Sequence, residues 1–385
     1  MHEHLNPLVQ QIEPSRIRAF SDMAAQYEDV ISFTIGQPDF LTPDHIKTAG
    51  KRAITENRTT YPPSAGYSDL LKAACSYVGS KYQQVYNPES EVVITNGATQ
   101  AIYIALCTIL QKGDEVILPA PIYSGYEPII TLSGAKPVYV DTRKTGFKLR
   151  AEDLKNAITD RTKCIVLSYP MNPTGVALSR EDIKQISEVL ADHKVFVLSD
   201  EIYSELAYGL PHSSISHIQE MRDRTIVING VSKSHAMTGW RVGMIFAPEY
   251  ITEQMKKIHQ YSVVSVSSIS QMAAIEALTT GSQDPLAMRD IYLERRDYVY
   301  ARLCGMGLEV IKPEGTFYFF PSIQQFGQNS VQFSEDLLKK ARVAVIPGSA
   351  FSDYGEGYIR LSFASPMLEL ENGLNRLEKY ISALR

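Results

Sequence analysis

Lys233 lies among small residues, between Ser232 and Ser234 and ahead of Gly239, just past a short β-branched run. A lysine that can be approached closely, with a lowered pKa, is suited to condense with a carbonyl group and to act as a base once released. Asp200 ends another such run. A carboxylate at the tip of a buried strand must be paired or hydrogen-bonded. One use for it is as counter-ion to a protonated ring nitrogen, because an opposite charge nearby stabilises the protonated form. Gly97-Ala98-Thr99 opens a helical pattern after a third run and offers backbone N–H groups and a hydroxyl to an anion. Ser232 and Arg241 could complete that anion site, since arginine is permanently charged and forked. Arg360 lies at 357–363, where Ile359, Leu361 and Phe363 alternate away from it. It therefore shares a polar face with Tyr358 and Ser362 and suits a carboxylate. Taken singly, each has an ordinary reading: a solvated lysine, a capping or ion-paired aspartate, a plain strand-to-helix turn, surface arginines.

The elements that position these residues are legible as short β-branched runs at 91–95, 115–119, 137–140, 163–168, 195–199, 225–229 and 242–247. Most are nearly continuous apolar runs, the pattern of strands buried on both faces. Helical patterns lie between several of them. One runs from Ala98 to Gln111; another starts at Ser179, with Asp182 three residues on as a capping partner. Alternating strands and helices predict an α/β layer with a mostly parallel sheet of seven strands. In such a sheet ligands bind outside the carboxyl ends of the strands. The residues just past those ends include Gly97 to Thr99, Tyr123, Asn172 within Asn-Pro-Thr-Gly, Asp200 with Tyr203, and Ser232 with Lys233; Arg241 follows eight residues later.

Past about residue 280 the pattern changes to a long charged helix from Asp284 to Met306, strands near 307–311, 315–320, 343–346 and 357–363, a helix near 331–341 and a closing helix from Met367. This predicts a smaller α+β unit. In the first 44 residues a helix-like segment, a strand over 30–35 and the Gly36-Gln37-Pro38-Asp39 turn read as an arm plus part of that unit. The expected division is 1–44 (arm and part of the small domain), 45–283 (large domain) and 284–385 (small domain).

Composition narrows the classes. A net charge of −5 argues against a broad nucleic-acid or anionic-membrane surface. No stretch approaches the roughly 18 apolar residues of a membrane span. The first residues hold no apolar run behind a basic patch, so no secretory leader is expected. Cys75, Cys107, Cys164 and Cys304 are scattered without a C-x-x-C pair, which reads as reduced, mostly buried thiols of a cytoplasmic protein with no metal site. Tyrosine is abundant, 22 against one tryptophan.

Jointly the motifs are far more specific than any one of them. Ser-Lys-Ser-(x)4-Gly-Trp-Arg-Val-Gly at 232–243, Asn-Pro-Thr-Gly at 172–175, Asp200-Glu201-Ile202-Tyr203, Gly36-Gln37-Pro38-Asp39 and Arg360 stand in order along the chain. In this the sequence resembles the class I/II pyridoxal-phosphate aminotransferases over essentially its whole length. The resemblance implies the aspartate aminotransferase-like fold (fold type I) and pyridoxal 5'-phosphate as cofactor. It implies Lys233 as the cofactor-bearing base, Asp200 on the ring nitrogen, and Asn172 and Tyr203 on the phenolic oxygen. Tyr123 would lie against the ring, where many relatives carry tryptophan. Gly97, Ala98, Thr99, Ser232 and Arg241 would hold the phosphate. Arg360, with Gly36 and Asn172, would hold the substrate carboxylate. Tyr61 resembles a tyrosine that reaches the neighbouring subunit's phosphate, which implies a homodimer with shared active sites, small-molecule substrates, and neither nucleic acid nor membrane as partner.

The motifs do not read the substrate side chain. The running text is most similar to the bacterial N-acetyl-L,L-diaminopimelate aminotransferase group of lysine biosynthesis, which implies transfer to 2-oxoglutarate. Aspartate or aromatic aminotransferases are the nearest rivals. A carbon–sulfur β-lyase on the same fold and a non-catalytic regulator domain are more distant ones; the latter carries an N-terminal DNA-binding module for which about 30 residues leave little room.

Overall fold

The computed structural model describes residues 4–209 and 211–385. Its strands are β1 (Ile31–Ser32), β2 (Val92–Thr95), β3 (Glu115–Ala120), β4 (Lys136–Asp141), β5 (Thr162–Leu167), β6 (Phe196–Asp200), β7 (Thr225–Gly230), β8 (Gly243–Phe246), β9 (Tyr318–Phe319), β10 (Val343–Ala344), β11 (Ile346–Pro347) and β12 (Ile359–Ser362).

Strands β2 to β8 form one seven-stranded sheet in the order β2-β8-β7-β6-β5-β3-β4. Only β8 runs against its neighbours, pairing antiparallel with both β2 and β7. The continuous apolar runs have the expected cause. Val93, Val116, Leu118, Cys164, Val166, Ile226 and Ile228 pack into a core on one face with the helix Gly97–Ile109. On the other face Ile117, Ile165 and Val197 pack with Ile183, Ile186 and Leu190 of the helix Arg180–Ala191. Val92, Ile94 and Val227 pack there against the helices Ser68–Tyr82 and Ser268–Leu278. With both faces covered, neither set of alternating residues can be polar. The helix Arg180–Ala191 opens with the full capping box: Asp182 N donates to Ser179 Oγ at 3.1 Å, and Ser179 N donates to Asp182 Oδ2 at 2.8 Å.

A second core gathers Phe33 near the start of the chain, Tyr292 and Val299 of the helix Asp284–Gly305, Phe333 of the helix Ser330–Ala341, Phe317 to Phe319, Leu361 and Phe363, and Leu370 to Ile381 of the helix Met367–Leu384. It also takes Tyr203, Leu206 and Tyr208 from the segment after β6. Its sheets are small: β11-β12-β9, antiparallel, and β1-β10, parallel.

Several expectations shorten or fail here. The strand expected over 30–35 is the two residues of β1, and the run at 343–346 splits into β10 and β11. No strand forms at 307–311. Leu308 packs in the core and Val310 against it, and the bond from Ser322 N to Glu309 O at 2.9 Å does not extend to a ladder. Apolar alternation marks burial there, not strand pairing. Cys304 is exposed, whereas Cys164 is buried. Among the described residues no helix is long and apolar enough to cross a membrane, and no group of three or more His, Cys, Asp or Glu is placed to hold a metal.

Candidate active site

The carboxyl ends of the parallel strands open into a cleft of about 650 Å³. Of the residues singled out from the sequence, all except Gly97 and Tyr61 line it.

At one end lies an anion-binding cradle. After β2 the chain turns at Asn96 directly into the helix Gly97–Ile109, whose N-terminal N–H groups carry partial positive charge. Because β8 is antiparallel, its start, not its end, lies at this edge of the sheet, which brings Arg241 to the same place. Two glycines permit the approach. Gly97 has φ +76°, and a Cβ there would overlap the Arg241 guanidinium; a Cβ on Gly243 would fall 2.7 Å from Ala98 N. Arg241 Nη1 donates to Thr238 O at 3.0 Å and Nη2 to Asn96 O at 3.4 Å. Among the described residues no carboxylate neutralises it. Ala98, Thr99 and Ser232 line the cleft beside it.

In the middle of the cleft is Asp200, the last residue of β6, 5% exposed. Its Oδ2 accepts a hydrogen bond from Tyr126 Oη at 2.6 Å, and its Oδ1 accepts one from Ile202 N at 3.2 Å. Burial pushes its carboxyl pKa up, against the lowering effect of the Tyr126 bond. Neither partner carries a positive charge, so this is a buried carboxylate suited to a cationic ligand atom. Tyr126 is fully buried, with the Ser168 hydroxyl 3.0 Å from its oxygen. Its ring meets that of Tyr123 edge-on, centroids 5.7 Å apart.

Lys233 sits in the short helix Val231–Ser234 after β7. Its Nζ donates to the Gly36 carbonyl and lies 6.0 Å from the centre of the Tyr203 ring. Desolvation, then the charges of Arg360 and Arg241, bring its pKa down to about 8, with Asp200 opposing. Tyr203 is buried, and its hydroxyl lies 2.9 Å from that of Tyr318.

Facing these from the smaller unit is Arg360, 2% exposed. Its strand is the central one of three, so the solvated edge position is excluded. Nη1 donates to Asn172 Oδ1 at 3.0 Å and Nη2 to Thr34 O at 2.8 Å, while Nε has no hydrogen-bond partner among the described residues. The guanidinium carbon lies 4.3 Å from the centre of the Tyr318 ring and 5.0 Å from that of Phe351. A guanidinium removed from water costs on the order of several kcal/mol. Two neutral acceptors and two aromatic faces offset part of that, and a forked anion would complete it.

Tyr61 is 85% exposed and lies outside the cleft; Gly97 is buried against Arg241. Sequence reasoning passed over Tyr126, Tyr318 and Thr34, and gave no site role to the helix Arg16–Ala24, which supplies Ile17, Arg18, Ser21 and Asp22 to the cleft wall. The spacing Tyr123-x-x-Tyr126 just past a strand end was a usable signal for Tyr126. The others had none, because they come from segments distant along the chain.

The sequence family described as aminotransferase class I and II matches residues 28–377. A Bacillus subtilis (strain 168) protein described as a probable N-acetyl-LL-diaminopimelate aminotransferase is 58% identical over 381 residues, covering 99% of this chain and 96% of that one. An aspartate aminotransferase of Pyrococcus abyssi is 40% identical over 374 residues, 96% of each chain. The solved structure of an aromatic aminotransferase from Pyrococcus horikoshii OT3 superposes with a TM-score of 0.90 at 39% identity, over 94% of this chain and 99% of that one.

Proposed function

Because the chain belongs to the class I and II aminotransferases, we propose that its cleft binds pyridoxal 5'-phosphate and exchanges an amino group between N-acetyl-L,L-diaminopimelate and 2-oxoglutarate. The observation that carries the reading is the convergence of Lys233, Asp200 and Arg360 on one cleft. The residues present fit the cofactor. An unneutralised Arg241 beside a helix N-terminus suits its phosphate, a buried Asp200 without a cationic partner suits its ring nitrogen, and a lysine of lowered pKa suits its aldehyde.

In this reading Gly97, Ala98, Thr99, Ser232 and Arg241 hold the phosphate. Asp200, its carboxylate fixed by Tyr126, keeps a proton on the ring nitrogen. Asn172 and Tyr203 donate to the phenolic oxygen, and Tyr123 braces the ring. When bound, the cofactor supplies an aldehyde carbon and a ring that delocalises the electron pair left at the substrate Cα. Lys233 would hold it through its side-chain amine, and that amine, when free, would take the proton from the substrate Cα. Arg360, with Asn172 and Gly36, orients the substrate α-carboxylate. Tyr61 reaches the phosphate of a partner subunit in a homodimer. Residues 45–283 form the cofactor domain; 1–44 and 284–385 form the small domain, which closes to exclude water. We place the enzyme in the cytoplasm, in lysine biosynthesis.

The lysine has a pH signature. Only the neutral amine attacks a carbonyl, and a lowered pKa means it becomes neutral at a lower pH than ordinary lysines. The rate of covalent cofactor capture by the cofactor-free protein will therefore rise with pH through about 8 and level off above it. Stopped-flow absorbance after mixing protein with the cofactor reads this. A rise that continued to pH 10, near the ordinary lysine value, would remove Lys233's special environment.

The substrate is tested by mixing the cofactor-loaded enzyme separately with N-acetyl-L,L-diaminopimelate, L-aspartate, L-tyrosine, L-alanine and L-glutamate. Loss of the visible cofactor band should be fast with the first and with glutamate, and slow with aspartate and tyrosine. Preference for aspartate or tyrosine would overturn the substrate, though not the reaction.

A further inference from the structure

Six charged residues line the cleft: Arg18, Asp22, Asp200, Lys233, Arg241 and Arg360. The proposed function uses four of them. It leaves one cation and one anion, Arg18 and Asp22, both on the helix Arg16–Ala24. They stand four residues apart and so share a face, about 6 Å apart along the axis. The buried residues of the helix, Phe20 and Ala24, lie on another face. Among the described residues neither Arg18 nor Asp22 forms an ion pair or a side-chain hydrogen bond, although an i,i+4 pairing is open to them. Both remain exposed at the cleft wall.

The helix is also tied to the carboxylate-binding arginine. Ser21 Oγ donates to Thr34 Oγ1 at 3.2 Å, and the Thr34 carbonyl accepts from Arg360 Nη2 at 2.8 Å. The face bearing Arg18 and Asp22 is therefore held at a set offset from the group that orients the α-carboxylate. A substrate anchored at Arg360 and longer than an α-amino acid's first few atoms meets this helix with its far end.

We propose that Arg18 and Asp22 read the distal end of the substrate. Arg18 forks onto a distal carboxylate, and Asp22 accepts a hydrogen bond from an N–H on the same distal carbon. The proposal rests on the transamination reading and extends it to the side chain. Glutamate and 2-oxoglutarate use Arg18 alone, having no distal N–H. An N-acylated diamino dicarboxylic acid uses both. The pair also explains how one pocket accepts two substrates of different length: the cation is common to both, and the anion adds selectivity where an N–H is present. A distal carboxylate beside Asp22 without Arg18 would be repelled, so the cation is the dominant member.

The test is single-turnover loss of the cofactor band in cofactor-loaded enzyme, with limiting L-glutamate, L-norvaline (the same chain length without the distal carboxylate) and N-acetyl-L,L-diaminopimelate. In Arg18→Gln the ratio of glutamate to norvaline rates should fall about 10- to 100-fold, the scale of a lost charge-assisted pair. In Asp22→Asn the ratio of N-acetyl-L,L-diaminopimelate to glutamate should fall about 5- to 10-fold, while the glutamate-to-norvaline ratio does not fall. An unchanged cofactor spectrum in each variant shows that the site is intact. If Arg18→Gln slows glutamate and norvaline in proportion, or neither, the distal reader is wrong and the transaminase reading stands. If the unmodified enzyme converts none of the three, the proposed function fails and the distal reader fails with it.

Discussion

Replacing Lys233 with alanine is expected to abolish both the covalent cofactor band and turnover. Two separate losses combine. The first is attachment: among the described residues no other lysine lines the cleft, so the aldehyde loses the amine placed to join it. The second is proton transfer at Cα, which a positioned base accelerates about 10²–10⁴-fold. Lys233 is suited to both because burial and the charges of Arg360 and Arg241 keep its pKa near 8, and its Nζ is held by the Gly36 carbonyl in the segment that leads to Thr34 and Arg360. The variant should still bind the cofactor through the phosphate cradle, so equilibrium dialysis would show uptake while the absorbance of the covalent form is missing. Normal turnover by Lys233→Ala would end the assignment.

Asp200→Asn should lower single-turnover rate by about 10²–10³-fold, the usual scale for removing one preorganised charge at a reacting centre. The substitution preserves size and leaves an acceptor for the Tyr126 hydroxyl, so geometry is largely kept and the change reports charge. Its second effect has the opposite sign. Burial raises the Asp200 pKa in the folded, cofactor-free chain. The folded state then binds more protons than the unfolded one as this group titrates, so its contribution to stability falls as pH rises through the carboxylate range. At neutral pH, above the ordinary aspartate range, this buried group without a cationic hydrogen-bond partner lowers stability, a cost that asparagine removes. Thermal unfolding of the cofactor-free variant should occur at higher temperature than that of the unmodified protein at pH 7. The difference should shrink towards pH 4, where an ordinary aspartate is itself about half protonated. Unchanged rate together with lower stability would make Asp200 a structural ion-pair residue instead.

The two experiments probe different parts of the site. In the proposed function the lysine serves as nucleophile and base, and its environment lowers its pKa. The aspartate serves there as an electrostatic partner, and burial raises its pKa in the absence of a cation. Keeping such a carboxylate buried illustrates how a site sacrifices stability for a charge that matters only when ligand is bound.

Much of the sheet was legible because burial on both faces leaves an unbroken apolar signature. Each run from 91–95 to 242–247 is a strand of the seven-stranded sheet. The residues just past those runs were also legible, since parallel strands deliver their carboxyl ends to one edge. The small unit was read less well. Its strands β1, β9, β10 and β11 are two residues each, too short to carry a period. At 307–311 an alternating pattern came from burial without any ladder. Of the tyrosines, Tyr123 and Tyr203 lie in the cleft as read. Tyr126 carried a spacing signal past its strand end, but its role showed only in its bond to Asp200; Tyr318 was recognisable only when Arg360 stood beside it.

Local sequence by itself determined which residues end each strand, the helix start at Gly97, the capping box at Ser179 and the lysine motif, because each depends on neighbours along the chain. Only the tertiary structure decided that Arg360 is buried against Asn172 and Thr34, that Tyr126 holds Asp200, and that the face bearing Arg18 and Asp22 looks into the cleft. Those contacts join residues far apart in sequence, and no local pattern encodes them. They arise when two cores close over one sheet edge and force distant polar groups to share a space from which water is largely removed.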